Sequence, residues 1–182
     1  LFNSLNNYVI LPVDGKVQPM NWRAYARMSV ADVELQQSGT YRISLTQPDV
    51  FMTTFKKADG TPWRVFGANP DIPAGATNIV RRTTSSRVES FVTLNELSWQ
   101  AVKPQGAGLE LGGKSHPNDL FTNEEISFQL LFNGKPISGT STVKLIAAGT
   151  RYRNNREERE IITNEHGEFS LSVKQAGMYF LA

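Results

Sequence analysis

Apolar and polar residues alternate along this chain in short runs with a period of two, not the 3.6 of a helix. Residues 41–45 read Tyr, Arg, Ile, Ser, Leu, and residues 88–94 read Val, Glu, Ser, Phe, Val, Thr, Leu. Each run predicts a strand with one buried face. Between such runs stand Asp14-Gly15, Asp59-Gly60, Asn133-Gly134 and His166-Gly167, pairs in which glycine supplies the positive φ of a tight turn. The clearest hairpin joins 128–132 to 135–137 through Asn133-Gly134, and Pro136 places the returning strand at an edge or delays its start. Helical period is nearly absent: 22–27 predicts one short helical turn at most, and 28–35 alternates like a strand. Residues 67–76, with Pro70 and Pro73, predict a surface loop. A second break falls at 101–114, where Lys103-Pro104-Gln105-Gly106 precedes Gly112-Gly113.

These signals predict an all-β fold of two β-sandwich domains. The first, immunoglobulin-like, spans 1–100 and is truncated at its start; the second spans 101–182, with the boundary at 98–104. An internal repeat supports two similar domains. Gln37-Ser38-Gly39-Thr40-Tyr41-Arg42-Ile43 and Gln175-Ala176-Gly177-Met178-Tyr179-Phe180-Leu181 share the order Gln, small, Gly, any, Tyr, any, aliphatic. In β-sandwiches such a tyrosine opens a late strand and its hydroxyl finds a backbone partner, sealing a corner. Tyr41 and Tyr179 are therefore expected to be largely buried at strand starts.

Composition narrows the function classes. Hydrophobic residues at 40% and charged residues at 20% allow a real core and exclude a disordered chain. Nineteen basic against seventeen acidic residues leave a net charge of +2, too near balance for a nucleic-acid partner. With no cysteine, a disulfide framework, thiolate metal site or cysteine nucleophile is excluded. No run reaches the roughly 20 apolar residues of a membrane-spanning helix. The first residue is Leu1 and the last Ala182; both ends read as cut from a longer precursor that carried a signal peptide.

Candidate chemistry is sparse. The two histidines are His116 and His166, and neither sits in a triad or zinc spacing. His116-Pro117-Asn118-Asp119 allows two readings: a turn in which Asn118 and Asp119 cap backbone amides, or a site where the His116 imidazole and Asp119 carboxylate hold a divalent cation. His166, in Asn164-Glu165-His166-Gly167, reads as a turn residue. Arg151, Arg153, Arg156 and Arg159 interleave with Glu157, Glu158 and Glu160, the pattern of a solvated hairpin tip. Arg64, Arg81, Arg82 and Arg87 lie near Trp63 and Phe66 in sequence; they line a carbohydrate- or anion-binding surface or simply face water. Trp22, Trp63 and Trp99 are either core residues or stacking faces. No acid and base can be paired, so an enzyme is not expected.

Taken in order, Ile72-Pro73-Ala74-Gly75-Ala76-Thr77, Arg87-Val88-Glu89-Ser90-Phe91-Val92-Thr93, Ser115-His116-Pro117-Asn118-Asp119-Leu120-Phe121, Gly149-Thr150-Arg151-Tyr152-Arg153, residues 164–169 and Ala176-Gly177-Met178-Tyr179 carry a resemblance. The chain resembles a bacterial family of unknown function whose members are often labelled periplasmic components of cobalt or nickel transport, a family similar to the nickel-uptake accessory protein NikM. The resemblance implies a signal peptide, export to the periplasm, a histidine-containing segment ahead of Leu1, and a second domain like transthyretin or carboxypeptidase-regulatory modules.

The leading expectation is a periplasmic or secreted non-catalytic binding or accessory module linked to nickel or cobalt uptake. Its divalent cation would be held by His116 and Asp119, since imidazole and carboxylate suit such ions, and its partner would be a membrane transporter or outer-membrane receptor. The alternative is a structural or carbohydrate-contacting surface module of the cell envelope.

Overall fold

The computed structural model describes residues 5–182. Among them the regular structure is fourteen strands in four sheets and one turn of 3-10 helix at Thr150–Tyr152, so the all-β expectation is met. The first sheet comprises β1 (Asn6–Ile10), β2 (Val17–Pro19), β5 (Gly39–Lys56), β6 (Pro62–Phe66) and β7 (Thr77–Leu94). Its order is β2-β1-β5-β6, with β7 also pairing β5. The short strands β3 (Arg23–Ala24) and β4 (Ser29–Val30) pair antiparallel with each other. That hairpin replaces the helical turn expected at 22–27. Its turn is closed by Tyr25 N–H donating to the Met28 carbonyl at 2.7 Å, a pairing that a helix over 22–27 would exclude.

The chain divides into two compact units, each discontinuous in sequence. One gathers 5–8, Pro19–Asp32 and Ser44–Glu89; the other gathers Val9–Gln18, Val33–Ile43 and Ser90–Ala182.

The second unit contains a β-sandwich. One sheet is β8 (Leu109–Gly113), β9 (Ile126–Phe132), β10 (Lys135–Pro136) and β13 (Glu168–Leu171); the other is β11 (Thr142–Ala147), β12 (Arg159–Ile162) and β14 (Tyr179–Leu181). Period-two alternation sends Ile126 and Phe128 of β9, Phe169 and Leu171 of β13, and Val143 and Leu145 of β11 into one shared core with Val173. Phe128 and Phe169 are cross-strand partners with ring centroids 6.0 Å apart. Burying such a ring stabilises the fold by about 1.5–3 kcal/mol, and truncating Phe128 to alanine would cost about 3–5 kcal/mol. Asn133 (φ 51°) and Gly134 (φ 74°) both take positive φ, as a two-residue hairpin between β9 and β10 requires. Pro136 sits in the two-residue β10 at the end of the order β10-β9-β13, as expected of a residue with no N–H to give.

The expected break at 101–114 is only half a break. Leu109–Gly113 is strand β8, paired with β9 from Leu109↔Phe132 to Gly113↔Phe128. Gly113 ends it at φ 131°, where a Cβ would stand 2.6 Å from the Phe128 backbone. The glycine pair reads as a linker because the close approach that demands glycine is invisible in sequence.

Both tyrosines of the repeat stand near strand starts, Tyr179 first in β14 and Tyr41 third in β5. The Tyr41 hydroxyl donates to the Gln37 carbonyl at 3.0 Å and accepts the Gln37 N–H at 2.7 Å; the Tyr179 hydroxyl donates to the Gln175 carbonyl at 2.8 Å. The preceding glycines share a positive φ, 128° at Gly39 and 154° at Gly177. Tyr41 is buried, whereas Tyr179 is half-buried against the sandwich core.

Candidate functional site

His116, half of the expected cation site, is buried at 4% exposure and not displayed in an open loop. Its Nδ1 accepts the Asn118 N–H at 3.1 Å. An amide can only donate, so the neutral ring carries its proton on Nε2, which lies 3.1 Å from the Ser98 carbonyl and 3.2 Å from Thr40 Oγ1. Thr40 and Ser98 clasp each other: the Thr40 N–H donates to Ser98 Oγ at 2.9 Å and the Ser98 N–H to Thr40 Oγ1 at 3.2 Å. The Trp99 ring stands edge-on to the imidazole, centroids 5.0 Å apart. Asp119 donates its N–H to the His116 carbonyl, closing the turn, and its side chain is exposed.

A nickel or cobalt ion takes imidazole through an unprotonated ring nitrogen. Here one nitrogen holds a backbone N–H and the other bears the proton. Among the described residues no three of His, Asp and Glu gather to complete a coordination shell. His116 and Asp119 do not fit a metal centre. The turn reading describes the backbone closure, but the observed cap is the imidazole in place of the expected Asn118 and Asp119 side chains: His116 accepts the Asn118 N–H, while Asn118 Nδ2 donates to Thr93 Oγ1 at 2.9 Å.

A second buried polar group has no counterpart among the sequence candidates. Arg42 on β5 and Glu110 on β8, with side chains 1% and 0% exposed, lie 4.0 Å apart. Glu110 accepts three backbone N–H groups, from Gln105 and Gly106 at 2.7 Å and Ala107 at 3.1 Å. Arg42 donates to the Lys103 carbonyl at 3.0 Å. The 103–107 turn is thus tied to two charges 68 positions apart in sequence, a spacing that offers no local signal. Its role is structural.

His166 is exposed in a turn whose N–H groups at His166 and Glu168 both donate to Asn164 Oδ1 at 2.9 Å. The Arg/Glu-rich tip is paired in part: Arg153 meets Glu157 at 3.5 Å within it, and Lys144, outside it on β11, meets Glu158 at 2.5 Å and Glu160 at 3.7 Å. The two carboxylates, Glu158 first, raise the Lys144 pKa.

The remaining candidate lies in the first unit, on the β5–β6 hairpin. The turn at 57–61 is built by Asp59-Gly60: Thr61 N–H donates to Asp59 Oδ1 at 2.9 Å, Lys57 N–H to the Thr61 carbonyl at 2.9 Å, and Gly60 takes φ 83°. The Thr61 N–H holds the Asp59 carboxyl below its usual pKa, helped by the Thr61 hydroxyl. This turn sets the register Phe55↔Trp63 and Lys56↔Pro62. Phe55 is 3% exposed while Trp63 is 52% and Phe66 63% exposed. Lys57 places its ammonium 3.8 Å from the Trp63 ring centroid. Around them runs an open groove of about 650 Å³ lined by Thr54, Phe55, Lys56, Pro62, Trp63, Arg64, Phe66 and Asn78.

Trp63, Arg64 and Phe66, grouped from sequence as a candidate surface, all border this groove, with Arg64 and Phe66 on one face of β6 and Trp63 on the other. Arg81, Arg82 and Arg87 do not line it: Arg81 and Arg82 are exposed on β7, and Arg87 pairs with Glu89 at 3.3 Å. Lys56 and Lys57 are absent from the sequence candidates, although counting back from the Asp59-Gly60 turn places them beside Trp63. None of the three tryptophans is buried: Trp99 is 46% exposed and Trp22 half-buried.

No helix among the described residues is long and apolar enough to cross a membrane. Comparison with curated proteins and comparison with solved structures each gave no match. A family model described as a domain of unknown function, DUF4198, matches residues 3–182. That match runs through both units, and the chain belongs to this domain family of unknown function.

Proposed function

We propose that the chain is a non-catalytic contact module of the bacterial cell envelope, exported to the periplasm or beyond, and that the β5–β6 groove is its carbohydrate-contacting surface. One observation carries this reading: Trp63 and Phe66 stand more than half exposed at the wall of a groove. Full burial of one large apolar side chain is worth about 1.5–3 kcal/mol, and half of that remains unrealised at each ring until something covers it. A flat aromatic ring beside polar groups is the usual partner of a pyranose face.

An accessory role in nickel or cobalt uptake, as the NikM-like resemblance suggests, is then one of contact with a transporter or receptor and not of cation ligation by His116. The test is a glycan array with peptidoglycan pull-down, run on the wild type and on Phe66→Ala. Retention of a polysaccharide by the wild type and its loss in the variant is the expected result. Retention of no glycan, together with calorimetric nickel binding abolished by His116→Ala, would replace this reading with the metal one.

A further inference from the structure

Given a carbohydrate-contacting groove, on which the choice of ligand rests, its charges narrow the class of sugar. Between Met52 and Phe66 the hairpin carries three cations, Lys56, Lys57 and Arg64, and one carboxylate, Asp59. Asp59 is engaged by the Thr61 N–H and hydroxyl and lies within electrostatic reach of Lys57. Lys57 is stacked on Trp63. That leaves Lys56 and Arg64, both exposed, both lining the groove, and neither in an ion pair among the described residues. We infer that the groove takes an acidic sugar, a carboxylate-bearing pyranose of an envelope polysaccharide, with its ring against Phe66, which shares a face of the hairpin with Arg64 and Lys56, and its carboxylate toward those two cations.

The chemistry favours this occupant on two counts. Arg64 offers a planar fork that matches a carboxylate two bonds at a time. Thr54 and Asn78, the polar residues of the lining, supply hydroxyl and amide partners for sugar oxygens. The volume of about 650 Å³ lies within the range of small-molecule sites. An anionic lipid surface would also meet aromatics and cations, and the vesicle arm of the test separates it from a sugar.

The test is isothermal titration of the full chain with trigalacturonate, maltotriose and phosphatidylglycerol vesicles, at about 0.05 M and about 0.5 M salt. Trigalacturonate is expected to bind, more weakly at high salt, with about a tenfold loss in Arg64→Gln and near-complete loss in Phe66→Ala. Arg64 is exposed, so its variant keeps the fold and the experiment does not hinge on the phenylalanine change. Equal affinity for maltotriose would overturn the acidic preference while leaving a glycan site standing. Binding to vesicles and to neither sugar would overturn both this inference and the glycan reading. Trigalacturonate binding unchanged by Arg64→Gln and by Lys56→Gln would move the carboxylate out of this groove.

Discussion

Arg42 and Glu110 face each other 4.0 Å apart with essentially no solvent access to either side chain. The energetics of such a pair are asymmetric. Two charges removed from water are each costly, and their attraction offsets that cost only with further hydrogen bonds. Glu110 accepts three from backbone amides, and Arg42 donates to the Lys103 carbonyl. Glu110→Ala removes the buried counter-charge of the guanidinium and leaves the 105–107 amides without that acceptor, so it is expected to destabilise by about 3–5 kcal/mol. The double change Arg42→Met, Glu110→Leu should lie closer to wild type than Arg42→Met alone or Glu110→Leu alone. Urea denaturation of the four proteins gives the coupling directly; strict additivity would show that the pair does not interact.

The two tyrosine corners invite a comparison within one molecule. The Tyr41 hydroxyl makes two backbone bonds in a buried setting, and Tyr179 makes one in a half-buried setting. Removing a hydroxyl strands more backbone polarity at the first site. Tyr41→Phe should cost about 1–3 kcal/mol and Tyr179→Phe about 0.5–1.5 kcal/mol. Thermal melts that rank them the other way would show that Tyr41's shielding does not govern its contribution.

These corners are legible in the sequence because the motif is local: glycine, tyrosine and the carbonyl it reaches lie within five positions. The Asn133-Gly134 hairpin and the 67–76 loop are legible for the same reason. Whatever depends on the approach of distant segments is not. His116 reads as exposed because its neighbours are Pro117, Asn118 and Asp119, yet Thr40 and Ser98, brought from far along the chain, enclose it. Arg42 reads as the outward member of an alternating strand, yet it is buried with Glu110 and the Lys103 carbonyl against it, and Ser44 is buried as well, so the expectation of one buried face over 41–45 fails. The groove is half legible: Trp63, Arg64 and Phe66 stand out by type, while Lys56 and Lys57 need the hairpin register.

Gly39 and Gly177 occupy matching places in the two corners and differ in what surrounds them. Both have positive φ, so alanine is strained at either. A Cβ at Gly39 would lie 2.5 Å from Pro12 Cβ and 2.7 Å from Ser98 Oγ, whereas at Gly177 nothing stands within 4 Å. Gly177→Ala should therefore show the backbone penalty alone, about 1 kcal/mol, and Gly39→Ala that penalty plus a steric clash of about 1–3 kcal/mol. Equal losses in chemical denaturation would mean that the Pro12 and Ser98 contacts relax freely.

His116 offers the sharpest check on the candidate chemistry, because a hydrogen-bonded and a metal-ligating imidazole differ in where the ring proton sits. If Nδ1 accepts the Asn118 N–H, the neutral ring must be the Nε2–H tautomer, and long-range nitrogen–proton correlation spectra report that tautomer directly. A ring held this way exchanges slowly with water, because it is 4% exposed and shielded by Trp99. Adding paramagnetic nickel or cobalt should leave its resonances sharp while exposed His166 broadens wherever ions collect nonspecifically. Replacing His116 by alanine empties a buried site and strands the Asn118 N–H, a loss of about 2–4 kcal/mol in stability. If instead the His116 signals broaden first, at stoichiometric metal, the ring must leave its contacts with Ser98 and Asn118 to reach the ion, and its structural role in this turn would have to be abandoned.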